Sequence, residues 1–110
     1  MSVVASDDLL ELVARRFQVL GEPTRIKILA LLEDREISVQ QLTTELDSTH
    51  PNVSKHLGVL HRAGMVARRK DGNRVLYRLA DYTARLLIGK ATAAVTGHVE
   101  ELAAIVGVDS

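Results

Sequence analysis

Cysteine is absent from this chain of 110 residues. That excludes disulfides, thiolate metal sites and thiol redox sensing. Tryptophan is absent too, and the aromatics are Phe17, Tyr77 and Tyr82 only. The core must therefore be built from Leu, Val, Ile and Ala, and a small aliphatic core often gains burial by dimerising. So few flat side chains also argue against single-strand binding, where bases stack on aromatics. No apolar run approaches the ~20 residues of a membrane span. The opening MSVVASDDLLEL is acidic and lacks the basic-then-apolar layout of a leader, so the cytoplasm is the expected location. Neither sign of charge is in excess, with 14 basic and 14 acidic side chains.

That neutrality conceals a strong local asymmetry. From Lys55 to Arg78 stand seven basic residues (Lys55, Arg62, Arg68, Arg69, Lys70, Arg74, Arg78) and one acid, Asp71, for a net charge of +6. The rest of the chain must then carry −6. Concentrating cations on one segment of an acidic domain is how a double-helix reader meets phosphates.

The chain reads as one domain, mainly α with a small β-hairpin. A first helix is expected over 7–20, with Leu9, Val13, Phe17 and Leu20 on one stripe and Gly21 at its end. Pro23 opens a second helix. Ser38 and Gln41 have capping-box spacing for a short third helix, and Ser48 or Thr49 can cap a fourth with Pro51 in its first turn. Val53, Leu57 and Leu60 form the buried stripe of the fourth, and Ala63-Gly64 stops it. Residues 65–79 change to strand period around the tight-turn signal Asp71-Gly72. A long last helix, 81–106, carries Ile88, Ala91, Val95, His98, Leu102 and Ile105 at spacings of three and four. That seam is suited to a partner helix.

Two short helices joined by a tight turn over 38–63 fit a helix-turn-helix whose second helix enters the major groove. Asn52, Lys55 and His56 are then expected at base edges or phosphates. Ser48 and Thr49 stand by the helix N-terminus, where backbone N–H groups favour an anion. Arg62 should face a backbone strand, and the hairpin should lay Lys70 and Arg74 on neighbouring phosphates or in the minor groove. A charge run alone usually marks a solvated face. Here it coincides with a capped helix and a Gly-tipped hairpin.

The blocks LGEPTRIKILALL, SVQQLTTEL and PNVSKHLGVLHRAGMVARRKDGNRVLYRL resemble the ArsR/SmtB family of winged helix-turn-helix regulators, from about Phe17 to Leu79. Ser54, His56 and Leu57 match the family's recognition-helix pattern. The resemblance implies a wing at 65–79 and a homodimer held by the first and last helices. It also implies a palindromic operator on double-stranded DNA, and repression relieved by an effector.

Family members often bind metal, and two usual sites can be compared. Where one has cysteines at the start of the third helix, this chain has Ser38 and Gln40, which are poor soft-metal ligands. For the other, at the last helix, Asp81 matches, but Thr83, Ala94 and Gly97 stand where further ligands belong. A His-x-x-Glu pair, His98 and Glu101, lies one turn later and shares a helix face. No cofactor is required by this reading, and weak Ni²⁺ or Zn²⁺ binding there stays open. The input is a metal, a small molecule in the dimer cleft, or a co-regulator protein. His50 reads as DNA-facing or structural.

Two other classes compete. One is an architectural or protein-interaction module with a basic wing and no operator specificity. The other, an enzyme, is disfavoured: there is no Gly-x-Ser-x-Gly elbow, phosphate loop or His-Glu-x-x-His.

Overall fold

The computed structural model describes residues 6–106. Residues 1–5, part of the acidic N-terminus considered above, and 107–110 lie outside the described residues. The elements run α1 (Asp7–Leu20), α2 (Pro23–Leu31), β1 (Ile37–Ser38), α3 (Val39–Glu45), α4 (His50–Arg62), β2 (Val66–Asp71), β3 (Arg74–Leu79) and α5 (Tyr82–Val106).

Local chemistry sets most boundaries. The Ser6 hydroxyl accepts from the Leu9 N–H and starts α1. Ser38 and Gln41 form the reciprocal capping box that starts α3. The Thr49 hydroxyl accepts from the Asn52 N–H at 3.3 Å and starts α4. Gly64, at φ 75°, ends α4. There the Gly64 N–H donates to the His61 carbonyl and the Met65 N–H to the Leu60 carbonyl. That is the Schellman arrangement, with Met65 and Leu60 both fully buried beside it.

The turn between α3 and α4 repeats this arrangement with a side chain in the glycine position. Asp47 sits at φ 49°. Its N–H donates to the Thr44 carbonyl, and the Ser48 N–H to the Thr43 carbonyl. An Asp tolerates the left-handed region better than most residues, at some cost.

The sheet is larger than the expected hairpin. β1 pairs antiparallel with β3, giving the order β1-β3-β2, with Ile37 opposite Tyr77 and Ser38 opposite Leu76. A two-residue strand is too short to show a period. β2 and β3 join through Gly72 and Asn73, with Asp71 opposite Arg74. Gly72 takes φ 64° at the first turn position, where hairpins favour glycine.

Ile28, Leu29, Leu32, Ile37, Leu42, Val53, Leu57, Leu60 and Met65 are fully buried and form one cluster. α1 and α5 contribute little to it. Leu20 is buried on α1 and Ala84 on α5, while Ile88 packs against the core from the side. Leu9, Val13, Phe17, Val95, Leu102 and Ile105 are all exposed, Ile105 at 79%. Ala91 and His98 are exposed as well. Two arginines tie α1 down. Arg16 pairs with Asp81 and donates to the Ala63 carbonyl at 3.2 Å. Arg25 donates to the Val19 and Gln18 carbonyls. Asp81 also accepts from the Thr83 N–H at 2.9 Å, so one carboxylate caps α5 and holds α1.

The left-handed Asp47 gives a direct check on the turn. Asp47→Val should lower stability by about 1–2 kcal/mol in urea unfolding, whereas Asp47→Gly should hold or raise it.

Candidate nucleic-acid interface

α4 has two unlike sides. Val53, Leu57 and Leu60 are sealed in the core. Ser54, Lys55 and Arg62 lie on the exposed surface, with Asn52 and Val59 half-buried at the border. At the N-terminal end the Asn52 amide donates to Ser48 Oγ at 2.9 Å. Ser54 Oγ lies 3.3 Å from His50 Nδ1. Ser48, Thr49, Asn52, Ser54 and Lys55 are thus gathered at the first turns of α4. His50, exposed, joins them. At the other end Arg62 folds back over Gly58, where an added Cβ would come within 3.2 Å of the guanidinium.

His56 requires a correction. The sequence placed it on the DNA side, yet it is only 6% exposed. Its Nδ1 lies 3.2 Å from a guanidinium nitrogen of Arg25 on α2. Burial lowers its pKa first, then the positive charges of Lys55 and Arg25, while Glu22 opposes them. The ring is neutral at physiological pH and is not available to a base edge.

The wing's cations are not equivalent. Arg69 makes a two-pronged pair with Glu36, at 2.7 and 2.8 Å, across the intervening β3. That hydrogen bonding, with the Arg69 charge, holds the Glu36 carboxyl below the usual range and the guanidinium above its own. Arg74 pairs with Asp71 at 3.0 Å across the turn. Lys55, Arg62, Arg68, Lys70 and Arg78 have no ion-pair partner among the described residues.

The strand register also separates two residues expected to act together. Lys70 stands opposite Val75 and Arg68 opposite Tyr77. Arg74 stands opposite Asp71, on the other face with Arg69 and Arg78. Arg74 borders an open groove of about 570 Å³ between wing tip, α3 and the start of α4, lined by Gln40, Thr44, His50, Asn73 and Val75 among others. Lys70 projects from the opposite face, so the tip presents one cation to each side. Thr44, Asn73 and Arg25 were not legible beforehand, since each is brought in from another element.

Two residues at the family's metal positions are engaged otherwise. Ser38 is 5% exposed and committed to its capping box. Asp81 holds Arg16 and the start of α5. His98 and Glu101 are both exposed on α5, and no group of three or more metal-ligating side chains occurs among the described residues.

A capped helix with a buried stripe and a cationic outer face, followed by a wing, is a DNA-reading arrangement. Residues 22–68 match the pattern of the bacterial regulatory protein, arsR family. The HTH-type transcriptional regulator Rv0081 of Mycobacterium tuberculosis, itself uncharacterized, is 45% identical over 76 residues, covering 68% of this chain and 67% of that protein. Its crystal structure superposes with a TM-score of 0.78 at 37% identity, over 87% of this chain and 97% of that one. The chain belongs to the arsR family. The HTH-type transcriptional regulator KmtR of M. tuberculosis is 39% identical over 82 residues, covering 74% of this chain and 63% of KmtR. A homodimeric winged helix-turn-helix DNA-binding domain from Mycobacterium bovis, solved in solution, superposes with a TM-score of 0.76 at 28% identity, over 92% of this chain and 95% of that one. This chain is accordingly a DNA-binding transcriptional regulator of the winged helix-turn-helix type.

The paired and unpaired wing cations should differ in their effect on DNA binding. Lys70→Ala should reduce the slope of log affinity against log salt by about 1. Arg69→Ala, whose charge Glu36 already balances, should change it much less. Anisotropy titrations of a labelled duplex at several salt concentrations make the comparison.

Proposed function

We propose that the chain is a cytoplasmic, homodimeric repressor that reads a palindromic operator. The observation that carries this reading is the division of α4, with its apolar side buried and its polar N-terminal end free beside the wing. Ser48, Thr49, Asn52, Ser54 and Lys55 enter the major groove. Arg62 and the wing cation Lys70 meet phosphates, while Arg74, paired with Asp71, borders the groove on the other face of the wing. A dimer covering an operator at a promoter blocks transcription by occupying the site.

The dimer follows from the exposed apolar residues of α1 and α5. A lone chain would leave Leu9, Val13, Phe17, Val95, Leu102 and Ile105 in water, a patch of the sort that marks an interface. The homodimeric state of the M. bovis relative supports this assignment. The activity is binding without catalysis, as in the regulators it resembles. No cofactor is needed for the fold. For a metal input the residues to consider are His98 and Glu101, two per chain and four per dimer. A small molecule or a co-regulator protein is the other class of input.

Selection of bound fragments from genomic DNA tests the proposal, run with and without Ni²⁺ or Zn²⁺. Wild type should enrich an inverted repeat and prefer it to random duplex by ~10³ or more. Equal affinity for all duplexes would favour a nonspecific architectural role instead. In sedimentation, Val95→Glu should shift the protein from dimer to monomer. A variant still dimeric at micromolar concentration would remove α5 from the interface.

A further inference from the structure

We propose that Arg25 is a positioning residue for operator reading, tying the last turn of α1 to the recognition helix α4 through His56. The proposal rests on the operator-reading function proposed above, and extends it to side chains that touch no DNA.

The geometry is that of one planar fork with three partners. Arg25 Nε donates to the Val19 carbonyl at 2.7 Å, and one terminal nitrogen donates to the Gln18 carbonyl at 3.3 Å. The other terminal nitrogen lies 3.2 Å from His56 Nδ1. The Val19 carbonyl lies in the last turn of α1, where carbonyls have no partner within the helix. His56 is the residue after Lys55 on α4, so whatever fixes the ring also fixes the rotation of Ser54 and Lys55 about the helix axis. A reading surface works only when its supporting residues are themselves held. Through Arg25, α1, a helix of the proposed dimer interface, and the DNA-facing helix share one anchor.

The contact also dictates a protonation state. A guanidinium only donates, so Nδ1 must accept, and the ring proton must sit on Nε2. Protonating the ring would set a second N–H against the guanidinium. The charged groups facing the ring are Arg25 and Glu22 from α2 and its cap, and Lys55 on its own helix. Two of these three are cations, and burial acts in the same direction. Acid should therefore open the tie, and the affected window lies below the ordinary imidazole pKa.

The test uses the full chain and the operator selected from genomic DNA. At pH 7.5, Arg25→Gln and Arg25→Lys should each weaken operator binding by about 10-fold or more, with dimer mass and helical circular dichroism unchanged. The lysine keeps the charge but cannot span three acceptors, so its loss reports geometry. Wild-type affinity should fall as pH drops from about 7 to about 5.5. His56→Gln, which keeps an acceptor and cannot titrate there, should flatten that fall. In the DNA-free protein the His56 ring should titrate at higher pH in Arg25→Gln, because a nearby cation has gone. Wild-type affinity in both Arg25 variants, or an unaltered pH profile in His56→Gln, would overturn the proposal alone. A wild-type dimer with no preference for any genomic fragment would overturn operator reading and the proposal with it.

Discussion

The complete burial of Val53, Leu57 and Leu60 is the constraint on which the other features depend. Removing three large aliphatic side chains from water contributes several kcal/mol, about 1.5–3 kcal/mol for each. It decides which side of α4 faces inward and so turns Ser54, Lys55 and Arg62 outward, and the Arg25–His56 contact holds the helix within that orientation. The reading surface is thus set by what the core requires of the same helix. The caps then fix where the helix begins and ends. Thr49 sets the exposed N-terminus, and the Gly64 arrangement turns the chain directly into the wing.

Electrostatics refine that surface. The segment from Lys55 to Arg78 has a large formal excess of positive charge, but it is not all available to phosphate. Glu36 takes up Arg69 and Asp71 takes up Arg74. The first pair joins β2 to the residue before β1 across β3, and the second lies within the turn. Exposed pairs of this kind add little to stability. Arg68, Lys70 and Arg78 have no ion-pair partner among the described residues.

What could be read beforehand divides by range. The capping box at Ser38 and Gln41, the Thr49 cap, Pro51 in the first turn of α4 and the Gly64 stop are local signals, and all stand where the spacing put them. The stripe of α4 followed from its period alone. β1 was not legible, because two residues carry no period and the pairing with β3 is distant in sequence. His56 was misplaced because it borders the stripe, and its burial depends on Arg25, 31 residues away. Lys70 and Arg74 were grouped by charge, whereas the pleat sends them to opposite faces. The arginine ties of α1 could not be anticipated, since Arg16 reaches across 65 residues to Asp81.

The helices of the proposed dimer connect to the same constraint. Arg16 grips Asp81, the residue before α5, and Arg25 grips carbonyls at the end of α1. In the proposed dimer the spacing of the two α4 helices would be inherited from α1 and α5. Methylation interference on the selected operator tests this most directly, because guanine N7 lies in the major groove. The account predicts interference at two symmetric clusters about 10 base pairs apart on one face of the duplex. A single cluster, or binding indifferent to N7 methylation, would contradict it.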